Sequence, residues 1–276
     1  MFVLFDNMRY MNKKIMVITG AASGLGKAIA LAAAKQGYDI AVADVQQQAG
    51  EQTVADIKES SREAAFFYCD VSKTDDLLAL KNAVIERFGQ VDVLINNAGV
   101  GAQGTVCEAS EEQWDRQWQI NLMGVVRGCQ AFIPQLKKSP QAAIVNVASF
   151  AAIALAPGVA SYNVVKAGVV ALSETLRCEL AEANIHVSVL CPAFFKTNLT
   201  ESMHDADEKI KNQINRWMDK SKYGADDVAE MVLSGIERKK FMILCDSTTR
   251  WQSRIARWFP NYFYKQKVKM MKRMFK

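Results

Sequence analysis

The chain has 276 residues, of which 50% are hydrophobic and 23% are charged, a balance that suits a globular protein with a substantial core. No stretch reaches the ~18 apolar residues of a membrane-spanning helix. The opening "MFVLF" is too short for the core of a signal peptide and has no basic region before it. Met8 and Met11 are alternative starts, because the first patterned strand begins only near Lys14.

Cysteine and histidine usage argues against a disulfide framework and against a metal site. None of the cysteines forms a CxxC pair, and most lie in apolar stretches, which favours reduced, mostly buried thiols in a cytoplasmic protein. The six are Cys69, Cys107, Cys129, Cys178, Cys191 and Cys245. The two histidines, His186 and His204, lack the clustered ligands that a metal site needs, and His186 alternates with apolar neighbours like a strand residue.

Charge is unevenly spread along the chain. The net charge is +5, yet residues 247–276 hold nine Lys/Arg and no Asp/Glu. The remaining residues hold 25 Lys/Arg against 29 Asp/Glu, a net charge of −4. The sequence therefore predicts a mildly acidic body followed by a strongly basic tail.

Strand-like and helix-like segments alternate along the body. The strands are apolar throughout, which predicts a parallel sheet covered on both faces and a doubly wound α/β fold. Predicted strands cover 13–20, 38–44, 64–70, 91–99, 142–149, 185–192 and 239–246; predicted helices cover 24–37, 46–60, 73–88, 111–138, 158–183, 201–220 and 225–237. No linker interrupts them, so we expect one seven-stranded domain over 13–246 and an extension over 247–276.

The longest predicted helix, 111–138, carries a stripe of bulky residues at 3.6-residue spacing. Its members are Trp114, Trp118, Leu122, Val125, Val126 and Cys129.

A glycine-rich turn, "TGAASGLG" at 19–26, joins the first strand to the first helix. Gly20, Gly24 and Gly26 let the backbone turn sharply and approach a ligand, and the helix start offers N–H groups to a pyrophosphate. The spacing is G-x3-G-x-G rather than G-x-G-x-x-G, so a plain tight turn is the alternative. The strand-to-helix position is the context that a nucleotide-binding motif requires.

Asp44 ends the second strand, 18 residues beyond Gly26. A carboxylate there can accept hydrogen bonds from the ribose diol of NAD and would repel the 2′-phosphate of NADP. Ser23, Val45 and Gln46 offer no cation for that phosphate. We therefore expect NAD rather than NADP; the alternative role for Asp44 is the N-cap of the following helix.

Further motifs follow in order. They are "CDV" at 69–71, "NNAG" at 96–99, Asn121 in "WQINLMG", Ser149 in "IVNVAS", Tyr162 with Lys166 in "SYNVVKAG", and "PAFFKT" at 192–197. Together with the glycine turn, over about residues 13 to 246, the sequence resembles the single-domain short-chain dehydrogenase/reductase family. The resemblance implies that Asn121, Ser149, Tyr162 and Lys166 are catalytic. It implies a cofactor site made of Gly20, Ser23, Gly24, Leu25, Gly26, Asp44, Asp70, Val71, Asn97, Ala98, Gly99, Tyr162, Lys166, Pro192, Ala193 and Thr197.

One residue departs from the family pattern. Ala193 stands where the family usually has glycine, and alanine allows the backbone less freedom. The local path over 193–197, which the resemblance places near the nicotinamide, is therefore open to a shift.

The chemistry of Tyr162 and Lys166 follows from their spacing. Four residues make one helical turn, so the two side chains share a face. Free tyrosine has a pKa of ~10, and a neighbouring ammonium favours the phenolate and lowers that pKa. Taken alone, such a pair is common and indicates an exposed tyrosine and a solvated lysine on one helix face; Ser149 and the glycine turn favour the catalytic role instead. In the family, Ser149 orients the substrate oxygen, and Asn121 holds a water that links the lysine to solvent; without the family, Asn121 reads as a helix-surface amide.

The segments expected around the substrate are mostly apolar and carry no cation cluster for a phosphate or carboxylate. Phe150, Ile153, Leu155, Phe194 and Phe195 supply their bulk. The sequence thus predicts a lipophilic alcohol or carbonyl substrate.

The basic tail also carries aromatic residues. Trp251, Ile255, Trp258, Phe259 and Tyr262 fall on one helix face, although Pro260 should break the helix near Phe259. Such a segment can lie at a membrane interface, or pack on its own or a partner subunit. Nucleic-acid binding rests on charge alone and is not expected.

Together these features predict an NAD-dependent oxidoreductase that acts on a lipophilic alcohol or carbonyl with Tyr162 as acid and base. The alternatives are an NADP-linked carbonyl reductase and a non-catalytic NAD-binding sensor or scaffold. The resemblance implies a homodimer or homotetramer. We expect a cytoplasmic protein, with membrane contact through 247–276 left open.

Overall fold

A single seven-stranded sheet organises the molecule. The computed structural model describes residues 13–193, 195, 216, 218–219 and 221–274. The strands are β1 (Lys14–Thr19), β2 (Tyr38–Asp44), β3 (Ala64–Tyr68), β4 (Val93–Asn96), β5 (Ala142–Val147), β6 (Ile185–Leu190) and β7 (Met242–Ile243). Their order is β3-β2-β1-β4-β5-β6-β7, and every pairing is parallel. The predicted doubly wound α/β fold is confirmed.

Helices cover both faces of the sheet. They are α1 (Gly24–Lys35), α2 (Gln47–Lys58), α3 (Thr74–Phe88), α4 (Glu111–Gln117), α5 (Gly124–Leu136), α6 (Ala151–Ala154), α7 (Ala160–Glu179), α8 (Ala225–Glu237), α9 (Ser247–Trp258) and α10 (Pro260–Met274). One buried cluster joins α1, α2 and α8 to the sheet, and a second joins α3, α5 and α7 to its other face. Apolar burial on two faces explains why the strands read as continuous hydrophobic runs.

The last strand is much shorter than predicted. The sequence indicated 239–246, whereas β7 covers Met242 and Ile243 and pairs with Val189 and Leu190 at the edge of the sheet. Asp246 then caps α9, because its carboxylate accepts a hydrogen bond from the Thr249 N–H at 2.6 Å. Because Asp246 is the N-cap of a helix that begins at Ser247, the strand cannot extend as far as residue 246.

The long helix predicted over 111–138 contains a π-helical segment, Trp118–Met123, between α4 and α5. A π turn adds a residue and shifts the face that the following residues present. Trp118 is consequently exposed, while Gln117 and Asn121 are buried. Trp118 therefore lies at the surface although the 3.6-residue spacing placed it in one stripe with Leu122 and Val125, and the two amides take the inward positions beside it.

The basic tail forms two helices. α9 ends at Trp258 and α10 begins at Pro260, as expected from the missing N–H of proline. α9 packs against α6, the short helix that follows Ser149, and α10 packs against α9. Within the described ranges, no helix combines the length and the hydropathy needed to cross a bilayer.

Candidate active site

The glycine turn lies at the carboxyl end of β1, where the sheet order reverses between β1 and β4. Gly20 and Gly24 have φ angles of +67° and +53°. A Cβ on Gly26 would stand 2.1 Å from the Gly20 carbonyl oxygen, whereas a Cβ on Gly24 would meet nothing within 4 Å. Gly26 therefore closes the turn, and Gly24 leaves open the approach to the start of α1. Ser23 is the N-cap of α1 but makes no capping bond with its side chain.

Two side chains hold this turn against β4. The Asn97 amide donates to the carbonyls of Thr19 and Gly20 at 2.9 and 3.0 Å. The Thr19 hydroxyl accepts from the N–H groups of Asn97 and Ala98 at 3.0 and 3.1 Å. The segment "NNAG" is thus a brace that fixes the glycine turn. Thr19 was not singled out from the sequence, because a threonine within an apolar strand carries no signal of its own.

Asp44 connects the end of β2 to the same turn. Its Oδ2 accepts from the Ala22 N–H at 2.9 Å, and its Oδ1 accepts from the Gln46 N–H at 3.0 Å. The N-cap of α2 is Gln46, so the alternative reading of Asp44 as a helix cap was wrong. Two ionised oxygens have about four acceptor positions, so capacity remains for a diol beside the glycine turn.

The motif "CDV" at 69–71, part of the expected cofactor site, lies at the end of β3. Asp70 accepts hydrogen bonds from the N–H and the hydroxyl of Ser72 at 3.0 and 2.7 Å. Burial raises the pKa of Asp70, but these bonds and Lys73 outweigh that effect and lower it, which keeps the carboxylate ionised. Val71 is buried against Gly124, where a Cβ would lie 2.9 Å from Val71 Cγ2.

Asn121 lies in the π segment and is fully buried, so its reading as a helix-surface amide was wrong. Its Oδ1 accepts from the Val100 N–H at 3.0 Å, and its Nδ2 donates to the Val100 carbonyl at 2.8 Å and to Gln117. Gln117 in turn donates to the Gly101 carbonyl at 3.1 Å. These two amides fasten the chain after β4, and Gln117 went unnoticed because its inward position depends on the π turn.

Tyr162, Lys166 and Ser149 come together beside this amide pair. The Lys166 Nζ lies 5.8 Å from the centroid of the Tyr162 ring and donates to the Val147 carbonyl at 2.9 Å. The Ser149 hydroxyl hydrogen-bonds to the Tyr162 phenol. Lys166 is buried and Tyr162 is half-buried, so the reading of an exposed tyrosine with a solvated lysine was wrong.

Burial dominates the electrostatics of this group. Desolvation lowers the pKa of Lys166 to about 8. Desolvation also raises the pKa of Tyr162, although the Ser149 hydrogen bond opposes it. The lowering of the Tyr162 pKa that the sequence predicted from the Lys166 ammonium is not seen in the chain without cofactor. Desolvation is the largest effect, and the Ser149 hydrogen bond is what opposes it.

A buried thiol adjoins the same group. Cys191, at the end of β6, is fully buried and hydrogen-bonds to the Ser149 N–H. Burial raises its pKa to about 12, partly offset by Lys166. A neutral thiol here adds no charge and packs between the lysine and the serine backbone. The sequence placed Cys191 in a strand but gave no sign that it would adjoin the tyrosine.

Part of the expected substrate region is described. Phe150 and Ile153 are half-buried beside Ser149, and Leu155 is exposed with a φ of +48°. Phe195 packs in the core cluster of α1 and α8 rather than in the pocket, which corrects its predicted position. Pro192 accepts a hydrogen bond from the Phe150 N–H at 2.8 Å, and Ala193 follows it. Phe194, Thr197, His204 and the helix predicted over 201–220 lie outside the residues described, apart from positions 216, 218 and 219.

The remaining histidine and the cysteines behave structurally. His186 lies in β6 with its Nε2 3.2 Å from the Lys240 carbonyl, and burial lowers its pKa. Cys69, Cys129, Cys191 and Cys245 are buried, Cys107 and Cys178 are exposed, and all six are free thiols. Across the part of the chain that the structure describes, no cluster of three metal-ligating residues occurs.

Comparison with known proteins finds oxidoreductases among the relatives of this chain. It is 34% identical over 240 residues to the probable oxidoreductase EphD of Mycobacterium tuberculosis, covering 84% of this chain and 40% of that protein. The chain therefore spans less than half the length of these mycobacterial relatives. It is also 34% identical over 224 residues to the 3-oxoacyl-[acyl-carrier-protein] reductase FabG of Staphylococcus epidermidis, covering 80% of this chain and 90% of that protein.

Solved structures give the same result. A short chain dehydrogenase/reductase from Burkholderia phymatum in complex with NAD superimposes with a TM-score of 0.85 at 34% identity, over 90% of this chain and 94% of that one. An alcohol dehydrogenase from Thermococcus sibiricus complexed with 5-hydroxy-NADP gives 0.74 at 28% identity, over 84% and 96%. The short chain dehydrogenase family pattern itself matches residues 14–208. The chain belongs to the short-chain dehydrogenase family.

Proposed function

We propose that the protein is an NAD-dependent oxidoreductase that interconverts a lipophilic carbonyl compound and its alcohol. The observation that carries the proposal is the buried group of Tyr162, Lys166 and Ser149 at the carboxyl end of the sheet, next to the glycine turn. Carboxyl ends of strands at the reversal of sheet order are where open α/β sheets bind their ligands.

The residues at the glycine turn fit a dinucleotide. Gly24 leaves the start of α1 open, no side chain caps that start, and Asp44 presents a carboxylate to the same space. Free N–H groups at a helix start suit a pyrophosphate, and the carboxylate suits a ribose diol. The cofactor residues in the described part of the chain are then Gly20, Ser23, Gly24, Leu25, Gly26, Asp44, Asp70, Val71, Asn97, Ala98, Gly99, Tyr162, Lys166, Pro192 and Ala193.

The nicotinamide cofactor, when bound, supplies the hydride acceptor or donor. This chain's own residues move the proton. Tyr162 gives a proton to the substrate oxygen during carbonyl reduction, or takes one during alcohol oxidation. Ser149 donates a hydrogen bond that holds that oxygen against Tyr162. Lys166 stabilises the phenolate after proton loss, and Asn121 fixes the chain after β4 beside the lysine.

The proposed working direction is carbonyl reduction. Burial raises the pKa of Tyr162, which disfavours the phenolate in the chain without cofactor. Alcohol oxidation would require the phenolate first, which additional positive charge at the site would have to stabilise. The reductase named among the relatives is consistent with this direction.

The second candidate is an NADP-linked carbonyl reductase. It is favoured by the structural neighbour in complex with an NADP analogue. Asp44 opposes it, since a buried carboxylate at the end of β2 would repel a 2′-phosphate. For the substrate, the half-buried apolar side chains of Phe150 and Ile153 beside Ser149 favour an apolar compound. A homo-oligomeric assembly is part of the same proposal, by analogy with the family.

A direct test follows NADH and NADPH fluorescence during incubation with aldehydes and ketones of rising chain length, with the matching alcohols in parallel. We expect turnover with NAD(H), faster reduction than oxidation at neutral pH, and rates that increase with apolar length. Exclusive use of NADPH would support the second candidate. Tight cofactor binding without turnover on any compound would support a dinucleotide-binding sensor and contradict the enzymatic proposal.

A further inference from the structure

The tail carries the densest patch of exposed apolar side chains in the described part of the chain. Five of the twelve large hydrophobic residues that are exposed there lie within 251–264. They are Trp251, Trp258, Phe259, Tyr262 and Tyr264, with exposures between 55% and 72%. Single exposed hydrophobics are normal, but a cluster of aromatic rings marks an interaction surface.

The same segment is strongly basic. Residues 247–274 contain eight Lys/Arg and no Asp/Glu. Arg254 and Arg257 are exposed on α9, and Lys265, Lys269 and Lys272 are exposed on α10. A dense block of cations beside aromatic rings is complementary to an anionic surface.

We propose that α9 and α10 form a docking surface for the anionic face of a lipid bilayer. Trp and Tyr rings are amphipathic and favour the headgroup zone, and Lys/Arg beside them pair with anionic lipids. The helices are too polar to cross the bilayer, so the segment lies in its interface. Pro260 separates the two helices, because α9 ends at Trp258 and α10 begins at Pro260.

The position of α9 would bring a bound bilayer close to the candidate active site. α9 packs against α6, which begins two residues after Ser149. A bilayer bound to α9 and α10 therefore lies on the side of the molecule that carries Ser149 and the half-buried Phe150. The docking surface itself does not depend on the proposed oxidoreductase activity.

Vesicle co-sedimentation of the full chain tests the proposal. We use phosphatidylcholine vesicles and vesicles in which one lipid in three is phosphatidylglycerol, at low and high salt. The charge variant combines Arg254→Gln, Arg257→Gln, Lys265→Gln and Lys269→Gln. Its matched control removes four exposed body cations through Lys58→Gln, Lys137→Gln, Lys138→Gln and Arg238→Gln. The apolar variant combines Trp251→Ser with Trp258→Ser, and Leu78→Ser serves as its control.

We expect the wild type to bind the anionic vesicles and to lose binding at high salt. Each cation near an anionic surface contributes roughly five-fold in partitioning, so the charge variant should lose more than ~100-fold while its control stays near wild type. The Trp variant should also release the vesicles, and Leu78→Ser should not. Equal binding by the charge variant and its control, or equal binding to both vesicle types, would overturn the proposal.

Sedimentation velocity without vesicles distinguishes a second copy of the chain as the occupant. If the Trp variant dissociates an assembly that the wild type forms, and the wild type does not bind vesicles, the surface is a subunit contact and the membrane proposal is wrong. Retention of the wild-type sedimentation coefficient and melting temperature in the Trp variant, with loss of vesicle binding, supports membrane docking.

Discussion

Lys166 is a cation held in the interior by one main-chain carbonyl. Its Nζ donates to Val147 at 2.9 Å, and no carboxylate among the described residues is bonded to it. Burial lowers its pKa to about 8 and simultaneously raises the pKa of Tyr162. Free lysine and tyrosine have similar pKa values, ~10.4 and ~10. Burial therefore moves the two pKa values apart and makes Lys166 the group of the pair that loses its proton first.

The role of Tyr162 is tested by Tyr162→Phe. The substitution keeps the ring but removes the hydroxyl that Ser149 contacts. We expect turnover to fall by at least ~100-fold, the scale of one lost general acid or base, while cofactor affinity is retained. Steady-state rates and a cofactor fluorescence titration measure both quantities. Near-normal turnover would overturn the catalytic assignment.

The buried ammonium also predicts a pH dependence of stability. The pKa of Lys166 is about 8 in the folded state and ~10.4 when unfolded. Between these values the unfolded chain binds more protons, so the free energy of unfolding rises with pH, by roughly 2 kcal/mol between pH 7 and about 9.5. Below pH 8 this increment is absent, and above ~10 the raised pKa of Tyr162 opposes it.

Lys166→Met should remove this rise, since methionine has similar bulk and no charge. Urea unfolding of both proteins across the pH range gives the difference, in which the other titrating groups cancel. Parallel pH profiles would mean that the ammonium remains solvated.

The predicted preference for NAD over NADP rests on Asp44. Its carboxylate already holds the glycine turn through the Ala22 N–H, so Asp44→Asn keeps the acceptor at that bond and removes the charge, whereas Asp44→Ala removes both. We expect both variants to weaken NAD more than NADP, because the repulsion of the 2′-phosphate disappears. Parallel titrations with the two cofactors measure the ratio. An unchanged ratio would show that Asp44 does not read the ribose.

At the scale of elements, Gly24 and Gly26 of the glycine turn are glycine for two different reasons. Gly26 is required by packing, because a Cβ would overlap the Gly20 carbonyl. Packing does not require glycine at position 24, because a Cβ there would meet no atom within 4 Å. This position faces open space at the start of α1. The spacing of the glycines indicated a close approach of the backbone, but it did not distinguish the residue that packs from the one that faces a ligand.

Gly24→Ala tests whether the open space at this position serves cofactor binding. The φ of +53° costs about 1 kcal/mol for alanine, and the methyl group would project into the approach to the helix start. We expect cofactor affinity to fall by roughly ten-fold or more, equivalent to at least one hydrogen bond to the phosphate. Gly37→Ala is the matched control, because Gly37 also has a positive φ and open space but lies at the opposite end of α1. Similar affinity loss in both variants would attribute the effect to strain alone.

The π segment, Trp118–Met123, was not predicted from the hydrophobic periodicity of the sequence. A 3.6-residue spacing predicted a stripe through Trp118, and one π turn moved that residue to the surface. The Arg127 guanidinium donates to the carbonyls of Gln119 and Val71 at 3.0 and 3.3 Å. Contacts between the π segment and the end of β3 thus stabilise a turn that local propensity does not encode.

At the scale of the whole molecule, α9 and α10 differ in how they join the body. Thr249 of α9 is buried, and α9 packs against α6, whereas α10 packs against α9. The proposed boundary at residue 246 therefore lies before an element that contacts the body.

Truncation measures this difference. A chain ending at residue 259 should melt within ~2 °C of the full chain, while one ending at residue 246 should melt several degrees lower because it also loses the buried cap and the contact with α6. Thermal unfolding by circular dichroism compares the three proteins. An equal loss on removing α10 alone would mean that α10 packs on the body or on a partner subunit.

The sequence by itself determined the strand–helix alternation, the parallel sheet and the family, because these depend on local hydrophobic runs, on glycine at a turn and on motif order. It also identified Asn121, Ser149, Tyr162 and Lys166 as candidates. Only the tertiary structure decided that burial raises the pKa of Tyr162, that Gln117 and Cys191 adjoin the site, and that β7 is two residues long. These outcomes depend on desolvation and on contacts between residues that are far apart in the chain. Neither can be derived from the spacing of residues in the sequence.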